Sequence, residues 1–529
     1  MKTIRIAKLF SVILSALLPI AEVSAAGSIP RIEKNGSHYT FIVDDKPYFM
    51  FAGQAHNSST WPRMLPQVWQ TMEAMHANTL EIPVYWEQIE PSRGNYDFSM
   101  VQMLLDQARE HEMRLVLLWF GTWKNGSNHY MPQWMKKDSR HFPNITGRNG
   151  EPVDSPSPHC LEAMQLDAAA FSAFMRYLKS NDPQYTVIMV QVENEPGSWG
   201  SVRDYSKQAQ KLFGQQVPEE LLTRQVLDQL GVKPGTKGTW QEVFGERADE
   251  YFHAWHVASY IEYVAAAGKA VYDLPLYTNA ALRNPLTNPM ANEYESGGPT
   301  DNVIPIWKVA APSLDLLAPD IYLSGDETCL KVLELYGRED NPLFVPESGG
   351  AGVRYLYNVV KDGIGFAPFG VDSGVEGQFN PQKNSAVSAE YAVLAPMSGL
   401  LAEWGAQGKI HVALEPEDHS DVELEMGNWT MVVKFSGNRI PRKDGNTGRI
   451  MVVQTGPDEF LTVGTGCRIN FTPSGKYKGR SWQYLRCTEE VFEDGDFQMV
   501  RILNGDESDW GGPLLGNTPG IVRLSLTPR

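Results

Sequence analysis

Eight short apolar runs, separated by stripes of helical spacing, organise this chain as far as residue 404. The runs are residues 49–53, 79–85, 114–119, 187–192, 274–278, 314–322, 343–346 and 365–370. Most are almost continuously apolar rather than alternating. A strand needs that composition when both faces of its sheet are covered, as in a parallel sheet wrapped by helices. Between the runs, Leu65, Val68, Met72 and Met75 share a helix face, as do Val101, Leu104, Leu105 and Ala108, and Phe171, Phe174, Met175 and Leu178. Asp97 is the expected N-cap of the second helix. Further helices are expected over 251–269, 326–335, 353–360 and 386–401. Strand followed by helix, eight times over, implies an α/β fold of the (β/α)8 barrel type. A doubly wound open sheet is the structural alternative, but no glycine-rich phosphate loop follows any strand. The excess length lies mainly at 197–248, expected to be a helical insertion after the fourth strand.

Beyond about residue 403 the helical stripes stop. Short strand-like runs between turns take over at 410–414, 421–425, 429–435, 449–455, 459–463, 468–471, 497–503 and 521–526. Val522, Leu524 and Leu526 alternate with Arg523 and Ser525. This implies a separate all-β domain of sandwich type over 405–529, after a barrel domain over 26–404.

Residues 1–25 read differently. Lys2, Arg5 and Lys8 form a basic start, residues 9–18 are mostly apolar, and Val23-Ser24-Ala25 offers small residues at a cleavage site. That is the pattern of a secretory signal peptide, too short in its apolar part for the ~20 residues of a membrane span. A periplasmic or secreted protein is expected, off the membrane once the signal is removed. Export would permit a bridge between Cys467 and Cys487; the alternative is that all four cysteines are small buried thiols. With 63 acidic against 46 basic residues, the net charge of −17 argues against a nucleic-acid partner.

Candidate chemistry collects at strand ends. The fourth strand ends in Glu193-Asn194-Glu195-Pro196 and the seventh in Glu347-Ser348-Gly349. A barrel presents both ends on one rim, on opposite sides of its mouth. Two carboxyl groups so placed suit glycosidic bond hydrolysis, which needs one to protonate the leaving oxygen and one to attack the anomeric carbon. Tyr322, ending strand six, is placed to donate a hydrogen bond to Glu347 or to pack as a plain tyrosine. Tyr85 and Glu87 after strand two, Asn279 after strand five, and Gln54 after strand one are candidate contacts to sugar hydroxyls. Glu193 either contacts a hydroxyl or pairs within the barrel. Trp119 and Trp123 after strand three either stack on a sugar or lie in the core. No cofactor is called for, and no metal. The acidic run Asp506-Glu507-Ser508-Asp509 reads as a solvated turn rather than a calcium loop.

Several segments carry a resemblance. They are Gly53-Gln54-Ala55-His56-Asn57, Val84-Tyr85-Trp86-Glu87-Gln88-Ile89-Glu90-Pro91 with Gly94-Asn95-Tyr96-Asp97-Phe98, and Gln191-Val192-Glu193-Asn194-Glu195. Together with Glu347 they resemble family 35 glycoside hydrolases, the β-galactosidases, and in particular exported bacterial members with a C-terminal β-domain. The sequence departs from better-known members at His56-Asn57, where those carry His-Tyr. The resemblance implies that Glu195 is the general acid/base, Glu347 the nucleophile, and Asn194 a donor to the sugar 2-hydroxyl. It implies a retaining enzyme that removes terminal β-galactosyl residues from oligosaccharides or polysaccharide side chains. The alternatives are another retaining β-glycosidase of the same clan and a carbohydrate-binding barrel without catalysis.

Overall fold

The computed structural model describes residues 27–437, 440 and 447–529. The expected signal peptide lies outside them. Eight strand positions form the barrel: β1 (Met50–Gln54), β2 (Thr79–Tyr85), β3 (Arg114–Lys124), β4 (Val187–Asn194), β5 (Leu276–Ala281), β6 (Leu316–Ile321), β7 and β8 (Gly363–Phe366). β7 is broken into Leu343–Val345 and Glu347–Ser348. The first piece pairs with β8 and the second with β6, so the parallel sheet runs around the ring and meets itself at strand seven. Pro346 sits at the break, where it has no N–H to give to a ladder.

Both faces of the strands are buried, which is why their sequences barely alternate. Val116, Leu118, Phe120, Ile188, Tyr277, Leu316 and Phe344 fill the interior cluster. Leu115, Leu117, Trp119, Val187, Val190 and Val192 join the cluster that also holds the helix faces. Phe41 and Val43 belong to the interior cluster too. They come from a small antiparallel sheet of Arg31–Asn35, His38–Val43 and Lys46–Pro47, which leads into β1 and closes the N-terminal end.

The helices fall where the stripes place them, including Leu65–Ala74, Ser99–Glu110, Leu161–Asn181 and Ala248–Lys269. Asp97 is one residue too early to be the N-cap: Phe98 holds that position, and Asp97 instead accepts a hydrogen bond from Ser99 N at 2.9 Å. The insertion after β4 carries short helices at Lys207–Phe213, Arg224–Gln229 and Trp240–Phe244.

After the last barrel helix, Ser398–Ala406, the described strands pair antiparallel. A six-stranded and a four-stranded sheet enclose a core around Trp429, Phe460, Ile469, Phe471 and Leu524. Trp482–Glu493, the central-to-edge ribbon of the larger sheet, is absent from the sequence reading. Its charged residues Arg486, Glu489 and Glu490 hide any apolar signature. Cys467 and Cys487 are separate buried thiols, and Cys160 and Cys329 are also free. Asp506 and Glu507 lie on a short turn, where Trp510, Arg501 and Asn504 N engage their carboxylates. No described helix is long and apolar enough to cross a membrane.

The β region is tied to the barrel by a buried ion pair between Arg449 and Glu390, the latter also accepting from the Tyr357 hydroxyl at 2.7 Å. Arg354 adds a second tie, pairing with Asp326 and donating to the Glu415 carbonyl at 2.7 Å. Removing one partner of a buried pair strands the other charge. Arg449→Leu is therefore expected to cost about 3–5 kcal/mol in equilibrium unfolding. A loss below about 1 kcal/mol would show that water reaches Glu390.

Candidate active site

β4 ends in an unusual backbone. Glu193 (φ 63°) and Glu195 (φ 42°) both sit in the left-handed region, an arrangement that costs free energy in non-glycine residues and collects at functional sites. The consequence is a reversal of side-chain direction. Glu193 turns outward, where Trp123 N donates to its Oε2 at 2.6 Å and Asp167 of the preceding helix, Leu161–Asn181, lies against it. Burial raises Glu193 well above the ordinary carboxylate range, and the neighbouring Asp167 charge raises it further. Glu193 thus lies behind the barrel wall against Asp167, as a pairing residue and not a sugar contact.

Asn194 and Glu195 are held from several sides. Asn279 Oδ1 accepts from Glu195 N at 2.8 Å, and Asn125 N and Gly126 N donate to the Asn194 and Glu195 carbonyls at 3.2 and 3.0 Å. Lys124 Nζ donates to Asn194 Oδ1 at 2.7 Å. An ammonium has no acceptor, so the amide oxygen must face it and Asn194 Nδ2 must point elsewhere. That Nδ2 is buried and has no protein partner.

Glu347 stands in register with Asp320 of β6. The Tyr322 hydroxyl donates to Glu347 Oε1 at 2.6 Å, as its place beside strand seven led us to expect, while Oε2 is buried and unpartnered. Glu195, Asp320 and Glu347 each bring one carboxylate oxygen within 4.8 Å of the others. Burial, then the charge of Glu195, pushes Glu347 up to about 7, against the opposing pull of Lys124 and hydrogen bonds from Tyr322 and Gln54. Asp320 is raised well above its usual range by burial, then by Glu347 and Glu195. Glu295 is raised likewise, by burial and then by Glu195. The donors on Glu347 favour its ionised form.

The remaining candidates divide. Gln54 is buried beside Glu347, with its Oε1 unpartnered. Asn279 is committed on both ends, its Nδ2 donating to Asp320 Oδ2 at 2.6 Å, so it braces the site. Tyr85 accepts from Thr60 N at 3.0 Å and stacks on Tyr130 with centroids 4.7 Å apart. Glu87, in the first turn after β2, pairs with Lys136 at 3.2 Å. Trp119 does not reach the mouth. It is fully buried on the outer face of β3, donates to Asp167 at 2.9 Å and stacks on Phe174. Trp123 is buried against Tyr260. Both are core residues, because β3 runs on to Lys124 and does not end at Trp119. Asp320, Lys124 and Glu295 were not singled out from the sequence. The signal for Asp320 was there: it lies two residues before Tyr322 and so shares its side of the strand.

Comparison with known proteins adds a name to this rim. Residues 40–248 match the model of Glycosyl hydrolases family 35. The match covers the first half of the barrel. It takes in β1 to β4 and Glu195, and residues 387–514 match a domain of unknown function, DUF5597. A β-galactosidase of Xanthomonas manihotis is 29% identical over 178 residues, 31% of this chain and 26% of that protein. Beta-galactosidase 14 of Arabidopsis thaliana is 26% identical over 152 residues, 26% of this chain and 16% of that one. The match thus spans about a quarter or less of the curated relatives' length. Among solved structures, the β-galactosidase from Bacillus circulans sp. alkalophilus superposes with a TM-score of 0.47 at 13% identity, covering 67% of this chain and 57% of that one.

Proposed function

We propose that this chain is a retaining glycoside hydrolase that removes terminal β-D-galactosyl residues from oligosaccharides or polysaccharide side chains. The observation that carries the reading is the carboxyl pair. Glu195 and Glu347 have oxygens within 4.8 Å of each other, in keeping with the ~5–5.5 Å carboxyl spacing of a retaining enzyme rather than the ~6.5–9.5 Å of an inverting one. Glu347 has one oxygen held by Tyr322 and one left free to attack. The family 35 match and the names of the two relatives favour galactose as the sugar.

In this mechanism Glu347 Oε2 attacks the anomeric carbon while Glu195 gives its proton to the departing oxygen. A galactosyl ester forms on Glu347. Glu195, now a carboxylate, takes a proton from water, the water attacks the anomeric carbon, and the ester bond breaks with overall retention. Asn194 Nδ2 is the donor available for the 2-hydroxyl. We place the reaction outside the cytoplasm on the strength of the N-terminal segment; N-terminal sequencing of the protein recovered from its native host tests that.

The test of function is a panel of aryl β-glycosides with the product followed by NMR. β-Galactose is the expected first product, and galactosides the preferred substrates by at least an order of magnitude. Preference for another sugar would move the protein within its clan, and no turnover would favour a binding role. The pH profile has a determined sign. The nucleophile must be ionised and is raised by burial and Glu195, so kcat/KM is expected to fall as pH drops below about 7. A limb at ordinary carboxylate values would mean that the pair is better hydrated than its burial implies.

A further inference from the structure

Lys124 ends β3, and nothing in the carboxyl-pair mechanism assigns it a role. It is 3% exposed, one cation among buried carboxyl groups. Its placement is built into the backbone. Lys124 and Ser127 exchange hydrogen bonds at 2.8 and 3.2 Å across a tight turn whose central residues, Asn125 and Gly126, both have positive φ. Asn-Gly is the pair such a turn favours, and a side chain at Gly126 would run into Glu295. The same turn gives its Asn125 and Gly126 N–H groups to the carbonyls of Asn194 and Glu195. Strand three is thereby fastened to the acid-bearing end of strand four, with Lys124 paired to Asn194 in register.

From that anchor the ammonium reaches two groups. It donates to Asn194 Oδ1 at 2.7 Å and lies 4.0 Å from Glu195 Oε2. The ring of Phe120 covers it at 5.2 Å. Its charge also faces Glu295, Asp320 and Glu347. The other titratable groups facing Glu347 are Tyr322, Tyr277 and Glu81, the last accepting from the Tyr277 hydroxyl at 3.1 Å. Among the groups named, Lys124 is the positive one.

We propose that Lys124 is the positioning residue of the acid/base: it locks the Asn194 amide with Nδ2 toward the sugar, and it stabilises the Glu195 carboxylate that remains once the proton has left. The inference rests on the reading of Glu195 as general acid/base. An acid becomes stronger when a cation waits beside its conjugate base. Here that cation offsets the crowding of carboxyls, which otherwise holds protons in place. A fixed ammonium does so without reorganising during the reaction.

Two variants separate charge from shape. Lys124→Gln keeps a hydrogen-bond donor and loses the charge; Lys124→Arg keeps the charge. Folding of each is checked by circular dichroism and thermal unfolding. The kcat/KM–pH profile is then recorded on an aryl β-galactoside beside wild type. Losing an opposite charge 4–6 Å away raises a carboxyl by about 1–3 pH units. Lys124→Gln is expected to move both limbs of the bell to higher pH by about one unit or more. Lys124→Arg should leave both limbs where wild type has them. A merely structural lysine would lower the height of both profiles and move neither limb, and that result overturns the proposal. Failure of both variants to fold overturns it as well, in favour of a structural role. Absence of wild-type turnover would sink the functional reading itself, a result distinct from an unmoved bell in an active enzyme.

Discussion

Glu347→Gln is expected to lose turnover on every substrate, by roughly four orders of magnitude or more. The amide is nearly the shape of the carboxylate, so Tyr322 and Gln54 keep a partner and the fold has no reason to change. What disappears is the proposed nucleophile: Oε2, buried and unpartnered in the resting site, is the atom that the proposed mechanism bonds to the anomeric carbon. Leaving-group quality should not matter, because no ester forms with any leaving group. Azide should not help this variant, since the glutamine side chain still fills the space. Glu347→Gly opens that space, and azide should then yield the galactosyl azide of opposite configuration. Retention of more than a few per cent of activity in Glu347→Gln, on a preparation free of wild type, would remove Glu347 from the mechanism.

Glu195→Ala is expected to behave in the contrary way, with a loss that depends on the substrate. An alkoxide leaving group needs a proton, and general acid catalysis supplies about 10²–10⁴-fold. Hydrolysis of oligosaccharides should fall by that order. Dinitrophenyl galactoside needs no proton, so its first step should survive. The second step then stalls for want of a base, the galactosyl-enzyme accumulates, and the trace shows a burst followed by slow turnover. Azide needs no base and should restore turnover, giving β-galactosyl azide with retained configuration. Equal losses on good and poor leaving groups, with no response to azide, would make Glu195 structural and place the acid elsewhere.

The sequence made the barrel legible for a physical reason. Strands buried on both faces have near-continuous apolar composition, and helices packed on one side carry stripes, so two periodicities alternate along the chain. The rim carboxylates were legible because barrels put functional residues at strand ends. Side-chain direction was harder. Glu193 and Glu195 are two residues apart and would share a face on a regular strand, yet they point to opposite sides because each adopts a left-handed backbone. No composition signal announces that turn. Trp119 was misplaced because β3 continues to Lys124, and the same extension hid Lys124. Asp320 lay inside an apolar run, where a lone carboxyl reads as a strand interruption. Its spacing of two from Tyr322 marked its side of the strand, but its register with Glu347 shows only in the pairing of β6 with β7.

On the proposed mechanism Glu347 carries the sugar during turnover. This is tested most directly by incubation with dinitrophenyl 2-deoxy-2-fluoro-β-galactoside, followed by mass spectrometry of the intact protein and of its peptides. The fluorine slows both steps, and the activated leaving group lets the first proceed. Inactivation is expected, with one fluorogalactosyl unit per chain, on the peptide containing Glu347 and on that residue. Inactivation with the label on another carboxylate, or turnover of natural substrates without any trapped adduct, would contradict that mechanism.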